Sequence, residues 1–516
     1  MKLLLIFAAS LLSLTYATTP DNVSSRLMVH IPQKLSKDKG YDHREALFGI
    51  PPYGGSISTN LFYADSDLCD QNVNTHGGYP ARKEKNGQME SWPSPFILMV
   101  DRGGCTFVKK VRNAQRAGAA GVVIADNVCL CTDGECIRRA NGTMCETSEP
   151  IMADDGSGKD ISIPSFLMFK VDADTLKAEV KNNNPVQLEM AWALPTPDDR
   201  VEYDLWTVPT DILSRPFLDG FKDVASSLGK SAYFTPHFYI YDGVRSNCEG
   251  ANGNNQCASL CTNHGRYCAT DPDNDFDSGI SGADVVKESL RRICIWKHYG
   301  DENGIGGNWW DYVSQFNRLC NTGDFFMNDD CIRDAYKHSK VDGDAINRCM
   351  RDSGGLDQDG PNTFLDQEIK NSNEQGVVIL PTVFVNNAAL RGRLNVANVF
   401  DAICAGFADG TKPKICSQCD KCGDPAECVK AKGVCKHSVG RNTGGVSNFT
   451  FGISMMSVIA LFIGLGIWQY RKSREDMRDQ VRGILAEYMP LEDQEMNGSS
   501  PMDFAQKAGK TSLIST

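Results

Sequence analysis

The stretch that decides the fold of the first half of the chain is PFILMVDRGGCTFVKKVRNAQRAGAAGVVIADN, Pro95 to Asn127. It opens with an apolar run of strand length, Phe96 to Val100, which ends at Asp101, Arg102 and a Gly103-Gly104 turn. Val108, Val111, Ala114 and Ala117 then recur at helical spacing, which predicts a helix from Phe107 onward. A small-residue turn leads into a second apolar run, Val122 to Ala125. Strand, helix and strand in this order predict a right-handed crossover. IPSFLMF, Ile163 to Phe169, is a further buried-strand pattern.

Around this core the chain is too long for one hydrophobic centre, since it runs to 516 residues. LPTPDDR, Leu194 to Arg200, reads as a linker, and a second boundary falls near Phe407 to Pro413, ahead of a dense run of cysteines. Beyond the linker, VEYDLWTVP (Val201 to Pro209) predicts a strand that alternates Val201, Tyr203 and Leu205 with charged neighbours. GVVILPTVFVNNAALRG (Gly376 to Gly392) predicts a hairpin behind a Leu-Pro-Thr turn, followed by an amphipathic helix in NVANVFDAICAGF. The net charge of −12 removes the basic surface that nucleic-acid binding requires.

Topology follows from both ends. Met1-Lys2, the apolar run Leu3 to Leu12, and small residues at Thr15 and Ala17 make a secretory signal cleaved near Ala17. Phe451 to Trp468 is almost wholly apolar, and spanning a bilayer takes about 20 such residues. Arg471, Lys472, Arg474, Arg478 and Arg482 follow, the mark of a cytoplasmic flank. A type I membrane protein with a cytosolic tail is expected. All 20 cysteines lie between Cys69 and Cys435, on the exported side, and read as a disulfide framework in an oxidising compartment. Sequons at Asn22, Asn141 and Asn448 are on that side and are expected to be glycosylated, whereas Asn497 is not.

DRGGCTFVKKVRNAQRAGAAGVVIADN, preceded by FGIPPYGG (Phe48 to Gly55) and followed by IPSFLM, resembles the signature of protease-associated domains. These are noncatalytic recognition modules, so the domain alone does not name a function. The Leu-Pro-Thr turn resembles the cis-proline turn of thioredoxin-like folds, which makes Pro381 the candidate cis residue. A redox-active thioredoxin carries Cys-x-x-Cys at the start of the first helix. TVPTDILSRPF, at that place, has no cysteine. CASLCTNHGRYCATDPDNDFDSGISGADVV (Cys257 to Val286), WWDYV (Trp309 to Val313) and LPTVFVNN with RG behind it resemble the central domain of vacuolar sorting receptors. The resemblance runs from about Arg26 to Cys404 and resumes in the tail.

The implied architecture is multidomain α/β. It comprises a signal peptide (1–17), a protease-associated domain (18–195), a redox-dead thioredoxin-like domain with a disulfide-rich helical insert (196–408), a Cys-rich, degenerate epidermal-growth-factor-like module (409–440), a transmembrane helix (449–470) and a disordered cytosolic tail (471–516). In that family the loop ahead of the protease-associated helix belongs to the cargo-peptide site. The resemblance implies Arg102, Gly103, Gly104, Cys105, Thr106 and Phe107 for it here. Glycines let a peptide backbone approach, Arg102 can donate to carbonyls or a carboxylate, and Phe107 offers an apolar contact. The family has Asp and Tyr where this chain has Gly104 and Thr106, which implies a different cargo preference. The loop also reads as a plain turn whose Cys105 pairs with Cys69, and the two readings are compatible.

No metal or cofactor is expected. DPDNDFD, with Asp271, Asp273, Asp275 and Asp277, and DQDGPNTFLDQE, with Asp357, Asp359 and Glu368, both lack the sixth-place glycine of an EF-hand loop and read as solvated acidic loops. Calcium is therefore not supported by a complete site, and the family's calcium-binding module is truncated here to Cys416, Cys419, Cys422, Cys428 and Cys435. The histidines, His264 among them, are candidate pH sensors, although a lone histidine between cysteines reads first as structural. In the tail Tyr488, Met489, Pro490 and Leu491 fit a tyrosine sorting signal and resemble the same motif in the family. Pro490 biases Met489 toward extended backbone, so Tyr488 and Leu491 lie roughly 10 Å apart, a spacing a clathrin adaptor can take into two pockets.

The implied function is a non-enzymatic cargo receptor of Golgi, trans-Golgi network and prevacuolar or endosomal membranes. It would bind sorting peptides of soluble hydrolases and deliver them to a vacuole or lysosome. A membrane ubiquitin ligase requires a cytosolic zinc-binding RING, but Arg471 to Thr516 contains neither Cys nor His. Protease motifs are absent. The alternative is a membrane-anchored lumenal thiol–disulfide oxidoreductase or chaperone, with the Cys416, Cys419 and Cys422 motifs as its redox candidates.

Overall fold

The computed structural model describes residues 25–70, 78–80, 84–85, 88–89, 92–140, 144–249, 254–420, 422, 424–435, 463–472 and 474. The segment 1–439 forms one compact unit, and 440–516 a second. Within the first unit two sheets carry the architecture.

The first sheet contains β1 (Ser25–Ile31), β2 (His43–Glu45), β3 (Gly55–Tyr63), β4 (Ile97–Asp101), β5 (Gly121–Ala125), β6 (Ser165–Met168) and β7 (Gln187–Trp192). Its order is β1-β7-β3-β4-β5-β6-β2. The central four strands, β3 to β6, run parallel, and the others pair antiparallel. Helix α1 (Phe107–Arg116) makes the crossover between β4 and β5, and α2 (Lys170–Lys181) follows β6. Every residue of β5 is buried. Val122 and Ile124 join one core with Val108, Val111 and Ala114 of α1, while Val123 and Ala125 join the other with Ala173, Leu176 and Val180 of α2. A parallel strand covered on both faces reads as a continuous apolar run, which is why the crossover was legible in the sequence.

The second sheet, in the order β9-β8-β10-β11, uses β8 (Val201–Thr207), β9 (Ala232–Phe238), β10 (Thr382–Val385) and β11 (Ala388–Ala389). Helix α3 (Arg215–Leu228) joins the parallel pair β8 and β9. The insert between β9 and β10 holds α4 (Gly282–Tyr299), α5 (Gly307–Leu319), α6 (Asp329–Ser339), α7 (Gly343–Asp352) and α8 (Thr363–Gln375). It is seated by aromatic packing. Phe234 of β9 lies 4.6 Å from Trp310, 5.1 Å from Tyr203, 5.3 Å from Trp296 and 5.4 Å from Trp309, centroid to centroid. Large buried rings in stacked, tilted and edge-on contact dominate such a core.

All described cysteines are paired, in ten disulfides. Cys294–Cys349 ties α4 to α7, and Cys404–Cys416 ties α9 (Val396–Ala405) to α10 (Lys414–Cys419). The cysteine-rich end is helical, α10 and α11 (Pro425–Lys430), and its Cys416, Cys428 and Val429 belong to the core of the second sheet. A boundary at 408/409 is thus bridged by both a disulfide and shared core.

The two sheets meet at Arg391, beyond β11. Its guanidinium donates to Glu45 of β2 across 3.0 Å, and its amide donates to the Tyr53 hydroxyl. The Glu45 side chain is only 10% exposed, so the pair is held largely away from water. No helix among the described residues is long and apolar enough to cross a membrane. The signal segment and most of the expected span, 449–462, lie outside the described residues.

Candidate functional site

β3, β4, β5 and β6 all end on the same side of their sheet, and ligands of open α/β sheets sit outside those carboxyl ends. The turn from β4 into α1 lies there. Gly103 and Gly104 take φ of +105° and +80°, the left-handed region that favours glycine. A Cβ on Gly104 would meet Asp67 Oδ2 at 2.9 Å and Cys69 Sγ at 3.1 Å. The turn can therefore close onto the Cys69 segment, and the Cys69–Cys105 disulfide locks it. Any side chain at position 104 would have to push the Asp67 carboxylate aside and hold a left-handed backbone.

Thr106 caps α1: its hydroxyl oxygen accepts from Lys109 N at 3.3 Å and the hydroxyl donates to Asp155 Oδ2 at 2.7 Å. The Ser157 and Thr106 hydroxyls hold the Asp155 carboxyl below its ordinary range. Phe107 is half-buried beside the α1 core. Lys110 is fully buried and its ammonium donates to the Asp67 carbonyl; burial pushes its pKa down.

Arg102 departs from expectation. Instead of a free donor for a peptide, its guanidinium is forked onto Glu146, at 2.8 and 2.9 Å, and reaches Asp126 at 3.1 Å. Bidentate pairing of this kind is the strong form of the interaction, and the Glu146 bond raises the Arg102 pKa. A ligand would meet the Gly103–Gly104 backbone first, or displace Glu146. Asp126 is 1% exposed and its Oδ2 has no hydrogen-bond partner, an acceptor held directly behind the turn. Met144 and Ile151, 91% and 66% exposed, flank Glu146 on its own segment. Sequence reading missed Asp126, Glu146 and Asp155, because each reaches the turn through tertiary packing. The Cys131–Cys145 disulfide, which places Glu146, was the one available signal.

The Leu380–Pro381 bond is cis, and Thr382 pairs with Trp206. The facing turn after β8 is closed by polar contacts: Thr207 Oγ1 reaches Asp211 Oδ2 at 3.3 Å and Ser214 Oγ at 3.2 Å. No cysteine stands there. Cys416, Cys419 and Cys422 bond to Cys404, Cys428 and Cys435, so none of the Cys-x-x-Cys pairs closes on itself.

Among the acids, Asp275 and Asp277 are solvated as expected, and Asp271 is not: it is 7% exposed. Glu368 is also buried, on α8, where His237 Nδ1 lies 3.0 Å from its Oε1. His264 is exposed in a left-handed turn, whereas the two enclosed histidines among the described residues are His43 and His237, neither singled out by sequence. Asn22, Asn141, Asn448 and the Tyr488, Met489, Pro490, Leu491 motif lie outside the described residues.

Two family models match: a PA domain over residues 57–176 and a vacuolar sorting receptor thioredoxin-like domain over 201–404. Vacuolar-sorting receptor 4 of Arabidopsis thaliana is 36% identical over 460 residues, 84% of this chain and 68% of that protein. Vacuolar-sorting receptor 1 of Pisum sativum is 36% identical over 436 residues, 79% of this chain and 63% of that protein. A receptor homology region, transmembrane domain- and RING domain-containing protein 2 of Arabidopsis thaliana is 32% identical over 119 residues, 23% of this chain and 24% of that protein.

Proposed function

The chain belongs to the vacuolar sorting receptor family, and from that premise we propose that it is a cargo receptor whose peptide site is the turn between β4 and α1. The observation that carries this is the placement of Arg102, Gly103, Gly104, Cys105, Thr106 and Phe107 at the carboxyl ends of the parallel strands, locked by one disulfide. A sorting peptide of a soluble hydrolase runs its backbone past the two glycines, and Phe107, Met144 and Ile151 take its apolar side chains. Glu146 competes with the peptide for Arg102. The receptor works in the Golgi lumen as a type I membrane protein and delivers its cargo to a vacuole or lysosome. A clathrin adaptor reads Tyr488 and Leu491 in the cytosol.

Titration of vacuolar propeptides onto the full chain in detergent micelles, at neutral and at acidic pH, tests the lumenal half. Saturable binding is expected, weakened at least about tenfold, or ~1.4 kcal/mol, by Arg102→Ala. An absence of saturable binding to any propeptide rejects the reading. Tyr488→Ala is expected to move the protein from the Golgi to the cell surface in imaging of cells; an unchanged distribution removes the tail motif from the mechanism.

A further inference from the structure

Lys110 stands among the buried residues of α1, with Val108, Val111 and Ala114, and is itself 0% exposed. Its ammonium donates to the Asp67 carbonyl and lies 3.6 Å from Cys69 Sγ, one half of the Cys69–Cys105 disulfide. Among the described residues it makes no ion pair, and Cys69 is the one cysteine there that accepts from a charged side chain. The carboxylates whose charge reaches Lys110 are Asp67 and Asp101, and both are engaged elsewhere. Asp67 Oδ1 accepts from Cys69 N at 2.9 Å, and Asp101 accepts from Tyr63 and Lys177 at 2.8 and 3.1 Å.

Enclosing an ammonium without a carboxylate against it is costly, and the apolar neighbours of Lys110 offer no return. Holding the loop in place does not call for that charge. Asn113, one turn further along α1, pins the same segment with a neutral amide. It donates to the Leu68 carbonyl at 2.8 Å and to the Asp70 carbonyl at 3.1 Å, on either side of Cys69. What Lys110 adds is a positive charge against one sulfur.

We propose that the Cys69–Cys105 disulfide is a thiol–disulfide exchange site for a dithiol, with Lys110 stabilising Cys69 as the leaving thiolate. Both cysteines are half-buried, so the bond is open to a thiol. Exchange runs by thiolate attack on one sulfur and departure of the other, and a better stabilised thiolate departs faster. A thiolate of the dithiol attacks Cys105 Sγ. The Cys69–Cys105 bond breaks, and its electron pair stays on Cys69 Sγ beside the ammonium. The second sulfur of the dithiol then attacks the mixed disulfide and frees Cys105. The dithiol is oxidised by two electrons to a disulfide, and the cysteine pair is reduced by the same two. The dithiol's two protons go to solvent, from which the freed cysteines take theirs up. Cys105 directly precedes the Thr106 cap, so the N-terminus of α1 favours the second thiolate as well.

With the bond open, Asn113 and Lys110 still hold the Cys69 segment, which keeps the sulfurs close enough to pair again. The Gly103–Gly104 turn meanwhile loses its covalent tie to that segment. Weaker peptide binding by the reduced form would follow, a consequence that rests on the reading above; the exchange itself does not.

Treatment of the full chain in detergent micelles with reduced glutathione, then acid quenching, alkylation and peptide mass mapping, tests the direction of attack. The adduct is expected on Cys105 with Cys69 free to alkylate; an adduct chiefly on Cys69, or none, overturns the proposal. A time course with dithiothreitol tests the charge. Cys69–Cys105 is expected to open faster than Cys131–Cys145, which is also open to solvent but has no lysine or arginine against its sulfurs. Lys110→Met is expected to slow the first at least about tenfold and leave the second unmoved. Equal opening of the two disulfides in the wild type, or an unchanged rate in Lys110→Met, rejects the assignment. Where Lys110→Met does not fold, the two wild-type measurements decide. None of these readouts involves a peptide, so a failure of the peptide reading leaves them unmoved.

Discussion

His43 and His237 stand on strands of neighbouring sheets, both largely enclosed, and acid acts on them in opposite directions. His43, on β2, has its Nε2 2.9 Å from Ser25 Oγ and its Nδ1 2.8 Å from the Tyr41 carbonyl. Burial lowers its pKa below 6.5, and the Tyr41 carbonyl with the charges of Glu45 and Asp42 only partly restores it, with Arg44 opposing them. His237, on β9, is buried too, which alone would lower it. The charge and hydrogen bond of Glu368, with Asp204 4.0 Å from Nε2, outweigh that burial and the Lys297 charge and raise its pKa above 6.5. The Trp206 ring, 4.5 Å away and stacked nearly parallel to the imidazole, shields the pair. Enclosure discharges a histidine; enclosure together with a carboxylate keeps it charged.

The consequences for stability have opposite signs. The folded first sheet binds His43's proton more weakly than the unfolded chain does, so its stability falls as pH drops through about 6.5 toward the lowered folded pKa. His237 contributes fully below about 6.5, and its contribution is lost as pH rises through the raised folded value. Asp204, raised chiefly by burial, adds to the second effect because protonating it in acid relieves a cost. Through these groups, acidification is expected to loosen the sheet that carries the proposed peptide turn while leaving the thioredoxin-like sheet firm.

The heaviest way to break this contrast is Glu368→Ala. The substitution strips the acceptor from His237 Nδ1 and from Phe238 N, leaving buried donors behind. A loss of about 3–5 kcal/mol in the thioredoxin-like unit is expected, and its acid response should reverse and match that of the first sheet. Urea titration with amide exchange resolved by unit, at pH 7 and pH 5, measures both. Arg391→Ala is next. It leaves Glu45 unpaired at the contact between the sheets, at a cost of about 2–4 kcal/mol, and should separate one unfolding transition into two. The mildest is His43→Gln, expected to change stability at pH 7 by under about 1 kcal/mol. Its readout is the pH profile: the acid-induced loss in the first sheet, about 1.4 kcal/mol for each unit of pKa depression, should flatten while the second sheet is unmoved.

These pairings also mark where sequence reading stops. The β4–α1–β5 crossover was readable because both faces of β5 are covered and the buried positions of α1 recur every turn. The absent redox cysteine was readable from the residues after β8. Arg102 with Glu146, 44 residues apart, and His237 with Glu368, 131 apart, leave no periodic trace. Asp271 misled for a related reason: four alternating acids resemble a solvated loop until one of them is seen to be enclosed.

By itself, then, the sequence determined the parallel crossover, the thioredoxin-like hairpin and the family. All three rest on apolar periodicity and local motifs, which act between neighbours along the chain. The tertiary structure alone decided which charges face one another: that Arg102 is occupied, that His237 holds its proton more tightly than His43, and that an aspartate is closed off from water. Those outcomes depend on burial and on partners brought close only by folding, because the free energy of a charge is set by what surrounds it in space.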